Sequence, residues 1–572
     1  MGSTKFMYRP QTAELRSHVE QTRLVYEPKL PRALQAKALS GISMIEDEPT
    51  QSRQPADHAP LRRMFPSTYG TPLIEMDTAR STLVGFIGGT LGLFDQQCVE
   101  ITDELLEGYK NQGGFDLLGR TVDSIRSDAC MQKARQACET LKLDGLVLIG
   151  GTRTHTDAAY LAEMFKAEGL STTVVGVPCS ISGGMKNHFV ESAVGFDTAV
   201  KLYSQLAGNT AIDGASARKY WYFMRLMGQD PSHMVVESAL QSHPNMVILA
   251  EEVAAKRWSL QDIVREVADV VQARATEGKN FGTVLLPEGL IQAIPEMDVL
   301  IQEIDDIYEA TPGQAQLSIE EVQSRLTPWS AALLKSTPAF LQRQVCLERQ
   351  SNHKVQLGQI ETEKLLVFFV EEELKKRKEA GTYTGNFSAV CSYLGYQARA
   401  ALPSNFDCDY AYSLGGVAAA LLGGGRTGYM ASITGLKGPV KDWKVGGVPL
   451  SSMLVCDDME RLPSGKIRPR IPPTPIDLYG PAIHKLREQM KKCEIDDCYQ
   501  NFGPLQFAGE SAESRLKVLD LETVDYLESL AALREALVKI KDTCRPGCDY
   551  EVLHAFTSVL TTVGGLLPKH MK

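Results

Sequence analysis

The chain has 572 residues, 43% of them apolar, and its 60 Lys and Arg against 70 Asp and Glu give a formal net charge of -10. Such a length accommodates about three or four domains, and the composition is that of an ordinary soluble globular protein. The acidic balance speaks against a nucleic-acid surface, which needs clustered Lys and Arg. Lys375-Lys376-Arg377-Lys378 follows Glu371-Glu372-Glu373, which reads as one self-paired, solvated helix face. No stretch reaches the roughly 18 continuous apolar residues that span a bilayer, and Met1-Gly2-Ser3-Thr4-Lys5 is not followed by the apolar core of a secretory signal. The 12 cysteines are scattered, as expected of reduced thiols in a cytoplasmic protein. Two close pairs, Cys493/Cys498 and Cys544/Cys548, lack zinc-ligand spacing.

In chain order, residues 1–78 read as an extension with a helix around Thr12–Tyr26 and a disordered part around Glu46–Asp57. Ser81–Ile87 is the first expected strand and ends at Gly88-Gly89; helical or loop segments follow to Leu141. The organising stretch is Asp144–Gly195. A strand, Leu146–Ile149, enters Gly150-Gly151-Thr152-Arg153, and a helix carries Leu161, Met164 and Phe165. A second strand, Thr173–Val177, then ends in the polar loop Pro178–Lys186. Strand, glycine turn, helix, strand is a unit that aims backbone N–H groups and a helix N-terminus at an anion. No carboxylate directly follows the Gly150-Gly151 pair, and none lies between Pro178 and Lys186. The pocket can hold a ligand but has no obvious group to seat a metal or remove a proton.

Further on, Glu191–Leu206 reads as helix, Tyr220–Met227 as a strand into Gly228, Asn245–Ala250 as a strand, Ser259–Thr276 as an amphipathic helix and Thr283–Leu286 as a strand ending in Pro287-Glu288-Gly289. Residues 290–382 look mainly helical, closing with Ile360–Ala380; Gly415–Leu422 is a helix, Gly428–Thr434 a strand, Met459–Ile476 a linker and Val518–Lys541 a closing helix. This alternation makes a largely parallel sheet with helices on both faces, whose ligands collect at the strands' C-terminal ends.

Collinear motifs carry a resemblance. They are Lys110-Asn111-Gln112-Gly113-Gly114-Phe115-Asp116, Gly195-Phe196-Asp197-Thr198, Gln241-Ser242-His243-Pro244-Asn245, Leu286-Pro287-Glu288-Gly289-Leu290, Ile360-Glu361-Thr362-Glu363-Lys364 and Phe406-Asp407-Cys408-Asp409-Tyr410. Through them the chain resembles the long-type pyrophosphate-dependent phosphofructokinases, most of all their plant regulatory alpha subunits. The resemblance implies an α/β fold of two Rossmann-like domains with mostly parallel sheets, a helical insertion and a C-terminal helical extension. On that pattern residues 79–205 are a truncated donor-side domain, 206–440 a sugar-phosphate domain with its insertion at about 290–382, and 441–572 a linker and helical region. It also implies a glycolytic reaction, phosphoryl transfer from pyrophosphate to the 1-hydroxyl of fructose 6-phosphate with Mg²⁺.

Catalytic members carry Gly-Gly-Asp-Asp where this chain has Gly150-Gly151-Thr152-Arg153, so the Mg²⁺ position is Thr152 and a cation replaces the second acid. Arg153 is either a surface residue on a helix turn or an anion ligand. Catalytic members also carry Pro-Lys-Thr-Ile-Asp; here the matching residues are Cys179, Ser180, Ile181 and Ser182, and a lone serine cannot act as the base at neutral pH. His188 reads as a loop histidine rather than a partner of Ser182. A whole β-loop-α unit of the family is missing, since Thr71–Met76 runs almost directly into Ser81. The loss would leave an exposed sheet edge, or else marks an incomplete gene product.

The family's sugar-phosphate positions are better kept: Lys219-Tyr220, which in the family reaches a neighbouring subunit's ligand, Met227-Gly228-Gln229 with an amide for the family arginine, Glu288, Tyr396, Arg399 and Lys186. Core packing is the competing reading of Tyr220 and Tyr396. Three functions stay open. The first is a non-catalytic regulatory subunit that binds no metal, pairs with a catalytic beta-type subunit and senses a sugar phosphate such as fructose 2,6-bisphosphate. The second is an active phosphofructokinase, and the third a purely structural partner. Neither nucleic acid nor membrane is an expected partner.

Overall fold

Among the described residues ten short strands divide into one antiparallel pair and two four-stranded sheets, and the two sheets place every loop of interest. The computed structural model describes residues 16–35, 82–311, 317–347, 355–456 and 468–522, apart from 114, 116, 122, 188, 229 and 230, together with 349, 538, 540 and 541. In chain order the strands are β1 (Val84–Phe86), β2 (Cys98–Glu100), β3 (Gly145–Gly150), β4 (Thr173–Pro178), β5 (Trp221–Leu226), β6 (Met246–Val247), β7 (Gly282–Pro287), β8 (Ala389–Leu394), β9 (Tyr429–Thr434) and β10 (Lys444–Pro449).

The first sheet has the order β10-β9-β4-β3. β3 and β4 run parallel in register from Gly145 opposite Thr173 to Gly150 opposite Pro178, β4 and β9 are parallel, and β9 and β10 antiparallel. The second sheet, β6-β7-β5-β8, is parallel throughout. β4 and β7 are buried at every position, as parallel strands covered on both faces must be. The fold is α/β with mostly parallel sheets. Two strands from late in the chain, β9 and β10, complete the sheet begun by β3 and β4. That sheet is therefore discontinuous in sequence, whereas the sequence pattern divided the domains at 205 and 440.

β3 is an edge strand among the described residues, and β1 pairs only with β2. On that strand Ile149 is a large apolar side chain left 64% exposed.

One apolar cluster draws Val175 and Val177 from β4, Met224 and Leu226 from β5, Leu285 from β7 and Ile433 from β9, with Tyr203 and Leu414 from the helices Phe196–Ala217 and Asn405–Gly423. One core thus joins the two sheets. The helix Leu260–Thr276 starts on the reciprocal cap Ser259–Asp262 and buries Leu260, Ile263, Val264, Val267, Val270 and Val271, the stripe its periodicity predicts.

Several boundaries differ from the sequence pattern. The helix expected from Glu191 begins at Phe196, because residues before Gly195 (φ 97°) return along β4, Val194 N–H donating to the Pro178 carbonyl at 3.1 Å. The expected strand Asn245–Ala250 shrinks to β6. The helix expected over Gly415–Leu422 is the C-terminal part of a longer one, Asn405–Gly423, that starts behind the Ser404 cap. Of the expected helix Val518–Lys541, Lys517–Leu521 is helical and residues 523–537 lie outside the described residues, as do His188, Gln229 and the segment Glu46–Asp57. Among the described residues no helix is long and apolar enough to cross a membrane.

A C-terminal strap ties down the helices. Arg274 Nη2 donates to Asp497 at 2.7 Å, Lys201 Nζ to the Ser514 carbonyl at 2.7 Å, and the Glu237 carboxylate accepts from Lys517 and Val518 N–H at 2.7 and 2.8 Å.

Candidate functional site

β3 and β4 end side by side, so the turn Gly150-Gly151 and the loop after Pro178 adjoin; Cys179 N–H donates to the Gly150 carbonyl at 2.9 Å. The helix Thr152–Ala167 begins at Gly151 with no side-chain cap and no acid in its first turn, which leaves its first N–H groups open to an anion. Thr152 is half-buried, and Arg153 is exposed with no hydrogen bond or ion pair among the described residues. Opposite this turn the Ser180 and Ser182 hydroxyls stand 3.0 Å apart. Burial, helped by the charge of Asp407, pushes the Cys179 thiol up to about 11, so it stays protonated at neutral pH.

Among the described residues, four carboxylates near this loop pair are engaged through at least one oxygen, Asp197 Oδ1 being left buried without a partner. Asp157 accepts from Ser124 Oγ, Ile125 N–H and Arg126 Nε at 2.8–3.1 Å. Glu191 accepts from Gly435 and Leu436 N–H at 2.7 and 2.8 Å, and Asp197 pairs with buried Lys201 at 2.6 Å. Asp407 accepts from Gly195 N–H at 2.9 Å and from Thr198 N–H at 2.8 Å. Among the described residues no three His, Cys, Asp or Glu side chains converge as a metal site would need. Hydroxyls, a protonated thiol and a neighbouring guanidinium do not fit Mg²⁺, a hard cation that prefers carboxylate oxygens.

The second half of the site forms at the ends of β5, β7 and β8. Their register sets Leu226 opposite Pro287 and Leu394, so Met227-Gly228, Glu288 and Gly395-Tyr396 emerge together. Glu288 is 2% exposed; its carboxylate accepts from Gly228 N–H at 3.0 Å and from the Tyr393 hydroxyl at 3.2 Å. Tyr396, 59% exposed, meets Tyr393 edge-on at 6.0 Å, so it lines the opening rather than the core. Arg399 lies over both Tyr396 and Phe115, 5.9 and 5.7 Å from the ring centroids.

The two halves touch. Gly183 (φ +74°) lies where a Cβ would come 2.7 Å from His233 Cβ, so only glycine lets the loop after β4 close on the loop after β5. The motif set and this parallel, two-sheet arrangement agree with what known proteins show: the phosphofructokinase family model matches residues 74–422. The chain belongs to the phosphofructokinase family. It is 42% identical over 602 residues, 96% of this chain and 97% of the relative, to the pyrophosphate–fructose 6-phosphate 1-phosphotransferase subunit alpha 1 of Arabidopsis thaliana. To the beta subunit of Solanum tuberosum it is 40% identical over 445 residues, 77% of this chain and 76% of that one. Among solved structures it is similar to a pyrophosphate-dependent phosphofructokinase from Nitrosospira multiformis, at 13% identity and TM-score 0.45 over 72% of this chain and 83% of that one. The alpha 1 alignment is longer than the 572 residues here, so that relative has residues with no counterpart in this phosphofructokinase chain.

The structure does not bring all the expected residues together. Lys219 and Tyr220 precede β5, at the end opposite Gly228, with the six residues of the strand, about 20 Å at the usual 3.3 Å per residue, between them. There Lys219 is exposed over the Tyr220 ring, 5.0 Å from its centroid. Lys186 is ion-paired with Glu522 of the C-terminal strap. Gln229 lies outside the described residues.

Sequence reasoning missed Tyr393, Arg225 and His233. Arg225 is buried with its Nε 2.6 Å from Glu363 and its guanidinium 4.1 Å from the Tyr393 ring centroid, which holds Tyr393 against Glu288. Burial, with the charge of Lys186 adding, lowers His233 to about 4, so its ring is neutral. Alternation in Ala389–Leu394 was the available signal for Tyr393, but Cys391 and Ser392 blur it.

Proposed function

We propose that the chain is a regulatory, non-catalytic subunit of pyrophosphate-dependent 6-phosphofructokinase, which pairs with a catalytic beta-type subunit and holds a sugar phosphate in the Glu288 half of its cleft. One observation carries the reading: the loop ends that would handle the phosphoryl donor present Thr152, Arg153, Cys179, Ser180 and Ser182, while the surrounding acids are committed to backbone N–H groups or cations. Phosphoryl transfer depends on positioning and charge neutralisation, and this loop pair offers neither a metal-binding carboxylate nor a base. The Gly228–Glu288–Tyr393 arrangement, by contrast, holds a carboxylate ready to accept from sugar hydroxyls. That retained half favours a ligand-sensing subunit over a purely structural one. Fructose 6-phosphate or fructose 2,6-bisphosphate is the ligand in this reading. Relatives named as separate alpha and beta subunits support the hetero-oligomer.

Co-expression with a catalytic beta-type subunit tests it. The complex should elute as a hetero-oligomer and respond to fructose 2,6-bisphosphate more strongly than the beta subunit alone. Two non-interacting proteins, or an unchanged response, would refute the reading.

A further inference from the structure

Away from the cleft, a cavity of about 560 Å³ opens between the N-terminal segment Pro28–Gln35, the helix Asn405–Gly423, the turn Leu436–Trp443 and the strap residues Ala512–Arg515. The volume suits a small organic ligand. Its floor is Asp409, 2% exposed, whose Oδ1 accepts from the Tyr26 hydroxyl at 2.9 Å and from Lys29 N–H at 2.8 Å. Oδ2 is engaged by no described residue, which leaves it able to accept from a ligand in the cavity. Phe406 and Trp443 supply aromatic walls, their ring centroids 5.7 Å apart. Three cations line the cavity. Lys29 is paired with Glu513 at 2.7 Å, whereas Lys441 and Arg515 are exposed and have no ion pair among the described residues.

We propose that this cavity is a second ligand site, for a sugar phosphate. An anionic group would sit between Lys441 and Arg515, a sugar hydroxyl would donate to Asp409 Oδ2, and the apolar face of the ring would lie on Trp443. The three features call for one molecule that combines an anion, hydroxyl donors and an apolar face. Inorganic phosphate lacks the last two, and a ribonucleotide shares all three and differs in its base. The site is independent of the Glu288 cleft, so the proposal stands whether or not the regulatory reading holds.

Tryptophan fluorescence of the full chain, titrated with glucose 6-phosphate, fructose 1,6-bisphosphate, AMP and inorganic phosphate, tests it, with Trp443→Phe as the control that assigns the signal. A saturable change with a sugar phosphate is expected, absent in Trp443→Phe, retained in Glu288→Gln and weakened at least tenfold in the exposed double variant Lys441→Ala/Arg515→Ala. No saturable change with either sugar phosphate, equal affinity in the double variant, or tighter binding of AMP or of phosphate alone would overturn the assignment. Isothermal titration of the same samples covers binding silent to Trp443: a single site that Glu288→Gln abolishes also overturns it.

Discussion

Ser180 and Ser182 face each other hydroxyl to hydroxyl at 3.0 Å across from the Gly150-Gly151 turn, each serving as the other's polar neighbour. Among the described residues neither has a histidine or a carboxylate as partner, and an unassisted serine hydroxyl is no base near neutral pH. In the proposed reading the donor side of the cleft holds an anion rather than moving a phosphoryl group.

Phosphate should therefore bind at the uncapped N-terminus of Thr152–Ala167 without a metal. A ligand at a hundred times its Kd adds about 2.7 kcal/mol of stability, so saturating phosphate or pyrophosphate should raise the melting temperature by the same few degrees with and without Mg²⁺. Arg153→Asp, which puts a negative charge at that helix end, should remove the shift. A rise seen only with Mg²⁺ would contradict this account.

On the sugar side, Glu288→Gln keeps the size of the side chain and removes its charge. Hydrogen bonds to a charged group contribute about 1.5–3 kcal/mol, so affinity for fructose 6-phosphate should fall roughly tenfold to a hundredfold. Tyr393→Phe frees one carboxylate lone pair and should weaken binding less. Equal affinity in Glu288→Gln and wild type, measured by calorimetry, would remove Glu288 from the site.

Lys219 separates function within one chain from function between chains. Because it lies at the far end of β5 from Gly228, Lys219→Ala should leave sugar-phosphate binding by the isolated chain unchanged. The same substitution should lower affinity in the proposed hetero-oligomer, where this reading has the residue serve a neighbouring subunit. A loss already present in the isolated chain would place Lys219 in its own cleft, against the geometry.

His155 makes a pH prediction. Its Nδ1 lies 2.8 Å from the Gly151 carbonyl, which accepts a hydrogen bond, so the proton is on Nδ1 and buried Nε2 is bare. Burial lowers this histidine to about 4 from its ordinary 6.5. The unfolded chain then binds the extra proton first, so the stabilisation is full above about pH 6.5 and is lost as pH falls toward 4. It amounts to on the order of 3 kcal/mol. Imidazole ¹⁵N shifts should report a neutral Nδ1–H ring at pH 5.5, and a charged ring there would count against the burial argument.

What was legible from sequence follows from which elements carry their own signal. The helix Leu260–Thr276 has both a cap and an apolar stripe, and β5, an aromatic-rich run broken only by Arg225, and β7, a largely apolar one, are ended by Gly228 and Pro287. β8 and β10 were not legible. Ser392 and Cys391 dilute the first, and Gly446-Gly447 weaken the second, which is held by its pairing with β9 rather than by its own propensity. The loop residues after β4 could be named from motif order, because each lies beside a conspicuous Gly or Pro. Tyr393 could not, since its role depends on Arg225 and Glu363, distant in sequence and joined only by the folded second sheet. The occupation of Lys186 by Glu522 is likewise a tertiary fact about a strap 336 residues away.

Turnover by the purified chain alone tests the central claim most directly. With fructose 6-phosphate, Mg²⁺ and either pyrophosphate or ATP, no fructose 1,6-bisphosphate should form above the rate without protein. Turnover that Ser182→Ala abolishes would contradict the account, because it would place a working base in a loop where, among the described residues, two serines face each other.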